Sequence, residues 1–223
     1  MTAEPTSTSD LSRSDARRRA ILDVASEVFL AQGYAATSMS EIAAKLGGSK
    51  GTLYNYFRSK EELFSAFIVD TCQGPAMTYF DPLPPIGEGR SVRDSLIDLG
   101  VSLMEFLHVE EVIAMHRLVI AEVGRFPELG RIFYEAGPRK GELRFAEFFE
   151  AAMAAGHLPA ADPMLVGQRL KDLVMSDVYL RQLWGVADGF SPEAIRDHVA
   201  KSVDVFARAF GPLREAHVPN WTS

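Results

Sequence analysis

The chain has 223 residues, 47% of them hydrophobic and 24% charged, which is the balance of an ordinary globular protein whose core needs no disulfides. Cys72 is the only cysteine, so an intrachain disulfide and a cysteine-based metal site are excluded. The first ten residues lack the apolar core of a signal peptide, and no run approaches the roughly 18 apolar residues of a membrane span. We therefore expect a cytoplasmic protein that does not enter the membrane.

The net charge of −7 is unevenly distributed along the chain. Residues 1–60 hold eight Lys/Arg and six Asp/Glu, whereas the remaining residues hold 15 Lys/Arg and 24 Asp/Glu. A mildly basic head on an acidic body is compatible with nucleic-acid binding, because the local field near the contact matters more than the total charge.

The N-terminal segment is predicted to be a tail followed by a helix. Residues 1–12 are rich in Ser and Thr and predict disorder, and we place the end of this tail at residue 14. The apolar spacing over 21–29 predicts a helix that begins at Ser14 and ends at Gly33, a residue type typical of helix C-terminal caps.

Two short helices follow. Ser38 and Glu41 form a capping box at the start of the first, and the glycine-containing turn after it ends that helix. Ser49 is the expected cap of the second, which spans residues 50–57.

Further helices are predicted along the rest of the chain. A second capping box, Ser59 and Glu62, begins a helix that reaches about Phe80, and residues 81–89 form a proline-rich loop. Asp162-Pro163 and Ser191-Pro192 begin the last two long helices, and no segment shows strand alternation. The predicted fold class is all-α, with the middle helices at about 91–108, 110–125, 128–136 and 139–155.

The segment from Gly33 to Leu63 has the layout of a helix-turn-helix, in which the second helix enters the major groove of DNA. Leu53 and Phe57 are expected to pack inward against Ile42 and Leu46. The opposite face of the second helix is then free for phosphates and base edges.

Two residues near this face have unusual features. Gly51 costs roughly 1 kcal/mol inside a helix, which a close approach of the backbone to DNA would explain. Lys60 lies in the first turn of the following helix, where its ammonium and the free N–H groups could bind a phosphate. The predicted DNA-binding residues are Thr37, Ser38, Ser49, Lys50, Gly51, Thr52, Tyr54, Asn55, Tyr56 and Lys60.

This segment resembles the TetR family of bacterial regulators. The residues that carry the resemblance are Gly33-Tyr34, Thr37, Ile42-Ala43 to Gly47, Ser49 to Phe57, and Lys60 to Leu63. One departure is Gly48, where the family usually has an apolar residue. A weaker resemblance, from His116 to Pro138, is to the C-terminal domain of the AefR-like subgroup.

The resemblance implies a DNA-binding domain over residues 15–60 and a ligand-responsive, dimerising domain over residues 61–223. It implies a homodimer that represses a promoter until a small molecule enters the second domain, which would shift the population to a state with mismatched recognition helices. It names neither the effector nor the operator.

Met and Phe side chains are abundant in the predicted body, where they favour a mostly apolar effector pocket between the helices at about 91–108, 110–125, 139–155 and 163–183. A solid core would use the same residues. His116 is our preferred polar contact. The predicted effector-binding residues are Phe106, Met115, His116, Phe149, Met175 and Tyr179.

The last two long helices are predicted to form the homodimer contact. The apolar series Ile195, Val199, Val203, Phe206 and Phe210 is longer than a single surface helix needs, so part of it could meet a partner's copy.

Alternatives remain open at this point. The helix-turn-helix could be vestigial in a ligand-binding or enzymatic bundle, or the regulator could respond to a protein partner instead of a small molecule. Tyr54 and Tyr56 could be half-buried core aromatics, and the run Arg17-Arg18-Arg19 is by default a solvated helix start. Catalytic motifs and metal-ligand spacings are absent from the sequence, so we predict no enzyme, metal site or cofactor.

Overall fold

The computed structural model describes residues 8–73, 89–186 and 191–211. Every regular element in these ranges is a helix, which confirms the predicted all-α class. The helices are α1 (Thr8–Ala36), α2 (Met39–Lys45), α3 (Lys50–Tyr56), α4 (Lys60–Gln73), α5 (Val92–His108), α6 (Glu110–Glu122), α7 (Pro127–Ala136), α8 (Pro138–Ala154), α9 (Pro163–Leu183) and α10 (Pro192–Phe210). The predicted end of the fourth helix at Phe80 and nearly all of the predicted loop 81–89 lie outside the described residues.

The chain divides into two compact units. One contains α1 to α4 together with α6 and α7, and the other contains α5 together with α8, α9 and α10. These units differ from the division at residue 60 that the sequence suggested, because α4 and α6 pack on α1, and α7 packs on α4 and α6. The functional division into domains 15–60 and 61–223 stays a prediction.

Helix α1 begins earlier than the sequence suggested. It starts at Thr8, so the prediction of a disordered tail is wrong for residues 8–14, and residues 1–7 lie outside the described part. The Ala and Arg residues that follow in the sequence have high helix propensity. Gly33, with φ of 85° and ψ of 167°, interrupts the helical geometry at the predicted position.

Serine and aspartate caps fix the starts of the helices where they were predicted. The Ser38 and Ser49 hydroxyls accept the N–H groups of Glu41 and Thr52 at 3.2 and 3.1 Å. Asp162 and Ser191 cap α9 and α10 in the same way. Each such bond satisfies one N–H that has no partner inside its own helix, and a cap of this kind is typically worth about 1 kcal/mol.

The second unit is built on close helix contacts. A Cβ at Gly100 of α5 would lie 2.7 Å from Val199 of α10, and one at Gly167 of α9 would lie 3.0 Å from Cβ of Phe145 in α8. Glycine therefore allows the backbones of these helices to approach each other at both crossings. Four members of the apolar series on α10 are buried within the chain itself, namely Ile195, Val199, Val203 and Phe206.

Helix α9 is interrupted at Ser176, an exposed residue with φ of 40° and ψ of −144°. Side chains of α10 bind carbonyl groups in the turn before this break. Nε2 of His198 lies 2.8 Å from the Val174 oxygen, and the Ser202 hydroxyl donates to the Leu173 oxygen at 3.0 Å. Because an interrupted helix leaves carbonyl groups in the preceding turn without helical partners, these bonds stabilise the break.

Replacement of Ser176 by glycine is expected to stabilise the protein. A non-glycine residue in this backbone region costs of order 1–3 kcal/mol, which glycine would avoid. Glycine is also more flexible in the unfolded state, and this offsets about 0.5–1 kcal/mol of the stabilisation. Ser176→Gly should raise the free energy of unfolding by about 1 kcal/mol in urea denaturation. The same exchange at helical Ser102 in α5 is the control and should lower it by about 0.5 kcal/mol. Equal effects at the two positions would contradict strain at Ser176.

Candidate nucleic-acid interface

Helices α2 and α3 form the predicted helix-turn-helix. Leu53, Phe57 and Ile42 are almost fully buried and Leu46 is partly buried, so the predicted inward face is confirmed. The Ser49 hydroxyl fixes the start of α3 by accepting the Thr52 N–H. The direction in which α3 presents its other side chains is therefore set by its buried face and its cap.

The outward face of α3 is accessible to a large partner. Lys50, Gly51 and Asn55 are exposed, and Tyr54 is 48% accessible to solvent. Thr52 is partly buried, and its hydroxyl lies 3.0 Å from that of Ser49. These groups together provide an ammonium, a phenol, an amide and hydroxyls, all of which can bind phosphates or base edges.

Three other predicted contact residues, Tyr56, Thr37 and Ser38, have contacts within the protein itself. Tyr56 is half-buried and packs against the hydrophobic core of its unit. Thr37 is buried, and its hydroxyl donates to the Gly33 oxygen at 2.7 Å. Ser38 is exposed, although its hydroxyl is engaged as the cap of α2. Of these three, Ser38 has the most accessible side chain.

The last residues of α1 and the link to α2, residues 33–38 together, are held by polar groups from two other helices, and we call this segment the α1–α2 junction. Nζ of Lys60 in α4 donates to the Tyr34 oxygen at 2.8 Å and the Thr37 oxygen at 3.1 Å. Oε1 of Glu122, the last residue of α6, accepts the Ala35 N–H at 3.0 Å. A cation thus binds the carbonyl groups at the end of α1, and an anion binds a free N–H group beside them.

Tyr34 anchors the same junction in the core. Its ring is buried against Phe64 and Phe126, with ring centroids 4.9 and 5.0 Å away. The Lys60 ammonium lies 4.2 Å from the centre of the Tyr34 ring, and the Tyr34 hydroxyl donates to Glu61 at 3.1 Å. Burial and the bond to Glu61 raise the pKa of the Tyr34 phenol well above its usual range, so it stays a neutral donor.

Sequence reasoning did not find the roles of Lys60 and Glu122 at the junction. Lys60 was predicted as a phosphate ligand, and the structure shows that two of its three N–H donors bind the protein's own carbonyl groups. Glu122 is 87 residues from Ala35 in sequence, and a lone carboxylate at the end of an amphipathic helix gives no local signal of such a contact.

The predicted effector-binding residues are divided between the two units. Met115 and His116 belong to the first unit. Nδ1 of His116 lies 2.7 Å from the Val112 oxygen, its ring packs edge-on against Phe133, and burial lowers the pKa of its imidazole. In the second unit Phe149 and Tyr179 are buried, whereas Met175 and Phe106 are partly buried. Their role in effector binding stays a prediction.

The second unit contains an apolar cleft that sequence reasoning did not anticipate. Its volume is about 200 Å³, and it is lined mainly by Met153, Leu158, Val166 and Phe210. It shares no residue with the predicted effector site. It is also smaller than the roughly 300–1,000 Å³ of typical small-molecule sites, so we do not assign the effector to it.

Neither a membrane-spanning helix nor a metal-binding cluster occurs in the described ranges 8–73, 89–186 and 191–211. No helix there is both long enough and apolar enough to cross a bilayer. The same ranges contain no cluster of three or more His, Cys, Asp or Glu side chains that could hold a metal ion. Cys72 is buried, and its Sγ would lie 2.8 Å from a Cβ at Gly137, so it packs as a small hydrophobic side chain.

Comparison with known proteins decides the family. Residues 21–67 match the model of bacterial regulatory proteins of the tetR family, and residues 94–212 match that of the C-terminal domain of AefR-like transcriptional repressors. The chain belongs to the TetR family of transcriptional regulators. It is therefore a DNA-binding regulator and not an enzyme, which confirms the predicted class and excludes a vestigial helix-turn-helix in an enzyme.

Solved structures resemble the regulator over most of its length. The Flavonoid-responsive Regulator FrrA is 34% identical, with a TM-score of 0.78 over 89% of this chain and 98% of that one. A TetR-family regulator from Mesorhizobium loti is 29% identical, also with a TM-score of 0.78, over 90% of this chain and 99% of that one.

Curated relatives match over part of the chain. The transcriptional activator FasR of Mycolicibacterium smegmatis is 50% identical over 54 residues, which are 24% of this chain and 25% of FasR. The chain thus spans about a quarter of the length of this relative.

Proposed function

We propose that this regulator binds its operator with α3 in the major groove, as a homodimer, and is a repressor released by a small hydrophobic effector. The observation that carries the DNA-contact part is the exposed face of α3, fixed by its buried side and its Ser49 cap. The proposed contacts are Lys50 to phosphate and Tyr54 and Asn55 to the groove, with Ser38, Ser49 and Thr52 beside them. Such a protein acts where the chromosome is, which for a bacterial regulator is the cytoplasm.

A small hydrophobic effector is supported by FrrA, of which this chain covers 98%. FrrA is described as flavonoid-responsive, and flavonoids are aromatic molecules of low polarity. The match to AefR-like repressors favours repression, although FasR is an activator. We keep Phe106, Phe149, Met175 and Tyr179 of the second unit as proposed effector-binding residues, and Met115 and His116 of the first unit stay a separate proposal.

The homodimer proposal keeps the last two long helices, but other side chains on them would have to form the contact. The apolar series on α10 packs mostly within its own chain. Ile195, Val199, Val203 and Phe206 are buried by other residues of the chain, and Phe210 stacks on Phe206. Apolar side chains that remain exposed at the end of α9 and on α10 are the alternative. They are Leu180, Trp184, Val186 and Val205, with 41–69% of each accessible to solvent.

The proposed function is tested by selecting duplexes from a random-sequence pool with the purified protein. We expect enrichment of a near-palindrome with half-sites about one helical turn apart, or a multiple of it, and a dimer in sedimentation at micromolar concentration. Failure to enrich any duplex would contradict operator binding, and a monomer with full affinity would contradict the dimer. A panel of flavonoids, with their sugar conjugates as polar controls, tests the effector. If none of them releases the selected duplex, the proposed effector class is wrong.

Gly51 offers a test in which stability and DNA affinity change in opposite directions. A Cβ at Gly51 would have only the Ser49 hydroxyl within 4 Å, at an ordinary 3.6 Å, so the protein itself does not require glycine there. Gly51→Ala should stabilise α3 by up to about 1 kcal/mol. If the backbone lies close to DNA, the added methyl group should weaken operator binding by roughly tenfold or more, equivalent to about 1.4 kcal/mol.

The control for this prediction is Gly141→Ala, in α8, where a Cβ would have no neighbour within 4 Å. It should stabilise its helix similarly and leave the dissociation constant for the selected duplex unchanged. Unchanged affinity in Gly51→Ala would mean that the backbone of α3 does not approach DNA at this residue.

A further inference from the structure

The three consecutive arginines of α1 have different surroundings. Arg19 forms an ion pair with Asp70 of α4, and the Arg18 guanidinium lies 5.1 Å from the centre of the Phe57 ring. Arg17 instead extends toward the turn between α2 and α3. Its Nη2 atom lies 3.0 Å from the position that a Cβ of Gly48 would occupy. The run is therefore not a uniformly solvated helix start.

The Arg17 side chain packs beside the helix-turn-helix. The residue is half-buried, and it borders a narrow gap beside Ile21, Leu46 and Leu53. Ser49 and Thr52 of the DNA-facing part border the same gap. Long charged side chains commonly bury the aliphatic stem and keep the charged group at the surface, and Arg17 follows this pattern.

The Arg17 guanidinium has no hydrogen bond or ion pair within the described part of the chain, whereas Arg19 is neutralised by Asp70. A guanidinium has five N–H donors in a planar arrangement that suits phosphate oxygens. In helix-turn-helix complexes the start of the recognition helix lies at the base edges, between the two phosphate backbones. A cation beside the turn that precedes α3 is therefore placed next to a backbone phosphate.

Gly48 makes this position of Arg17 possible. A Cβ at residue 48 would lie only 3.0 Å from Nη2 of Arg17, a tight contact that a larger side chain could avoid only by displacing the guanidinium. The backbone of Gly48 does not have the positive φ that would itself demand glycine. Gly48, where the sequence departs from the family pattern, thus lies next to Arg17 in the structure. Glycine leaves a notch at the turn, and Arg17 occupies it.

We propose that Arg17, held in the notch left by Gly48, contacts an operator phosphate beside the α2–α3 turn. This inference rests on the proposed binding of DNA by α3. The contact would position the recognition helix on the duplex without reading its sequence.

The test measures dissociation constants across a salt series, using one duplex selected by the wild-type protein and one unrelated duplex of equal length. Arg17→Gln should weaken binding to both by about tenfold at 0.1 M salt and reduce the slope of log K against log salt by about 1. Arg19→Gln, which makes the same charge change two residues away, should change affinity less than about twofold and leave the slope unchanged. Thermal melting of each variant verifies that it is folded.

Gly48→Val tests the notch independently. Its side chain should displace Arg17 and reproduce the loss of affinity and slope, and the Arg17→Gln/Gly48→Val double variant should show little further loss. The proposal is overturned if Arg17→Gln behaves like Arg19→Gln, or if its loss is confined to the selected duplex, since that would indicate base reading. A wild-type protein that enriches no duplex would instead overturn the proposed DNA binding by α3, so the two failures are distinguishable.

Discussion

Gly33→Ala is expected to lower the free energy of unfolding by about 3 kcal/mol. With φ of 85° and ψ of 167°, Gly33 occupies a backbone region that is essentially restricted to glycine, where another residue costs of order 1–3 kcal/mol. A Cβ there would also lie 2.8 Å from Oε1 of Glu122. The carboxylate would have to move away from the Ala35 N–H, and a hydrogen bond to a charged group is worth about 1.5–3 kcal/mol.

The effect should be measured by urea denaturation followed by circular dichroism, with Gly47→Ala as the control. Gly47 also has a positive φ, of 65°, but a Cβ there would have no neighbour within 4 Å. Its replacement should cost about 1 kcal/mol, the ordinary penalty of the left-handed region. A loss in Gly33→Ala no larger than in Gly47→Ala would argue against the contact with Glu122.

A double variant isolates the part of the effect that passes through Glu122. In Glu122→Ala the carboxylate is absent, so adding Gly33→Ala should cost only the backbone strain. The two losses should therefore combine to less than their sum by about 1 kcal/mol or more. Additive losses would show that the two residues act independently.

The starts of the helices could be predicted from the sequence because their signals are local. Ser38, Ser49, Asp162 and Ser191 each precede a helix by one residue, and each was found as a cap. The inward face of the helix-turn-helix could be predicted equally well, since apolar spacing within a few residues decides which side packs on the core.

Contacts between distant polar groups could not be predicted. Lys60, Glu122 and Arg17 are ordinary surface residue types, and only the tertiary fold determines which carbonyl, N–H or notch each one meets. The break in α9 at Ser176 was missed because no Gly or Pro marks it.

The apolar stripe of α10 shows a different limit of sequence reasoning. Periodicity predicts that a helix has an apolar face, and it does not say whether that face meets its own chain or a partner. Here Val199, Val203 and Phe206 are completely buried against their own unit. The exposed apolar residues, Trp184 among them, lie outside the longest periodic series, so that series alone does not mark the surface that would meet a partner.

Lys60→Met is expected to affect stability and DNA binding separately. The ammonium donates to the Tyr34 and Thr37 oxygens and lies 4.2 Å from the Tyr34 ring centre, so its loss leaves two carbonyl groups without this donor. We expect the free energy of unfolding to fall by about 2 kcal/mol. The third N–H of the ammonium remains for a phosphate, so the slope of log K against log salt should also fall by about 1, for all duplexes alike.

Lys50→Met is the matched control for these two effects. Lys50 is exposed on α3, so its replacement should leave the free energy of unfolding within about 0.5 kcal/mol of the wild type. It should reduce the salt slope by about 1 if it binds a phosphate. Unchanged stability in Lys60→Met would contradict its bonds to the α1–α2 junction. Reduced stability with an unchanged salt slope would remove Lys60 from the DNA contacts and leave it as a structural residue that positions the helix-turn-helix.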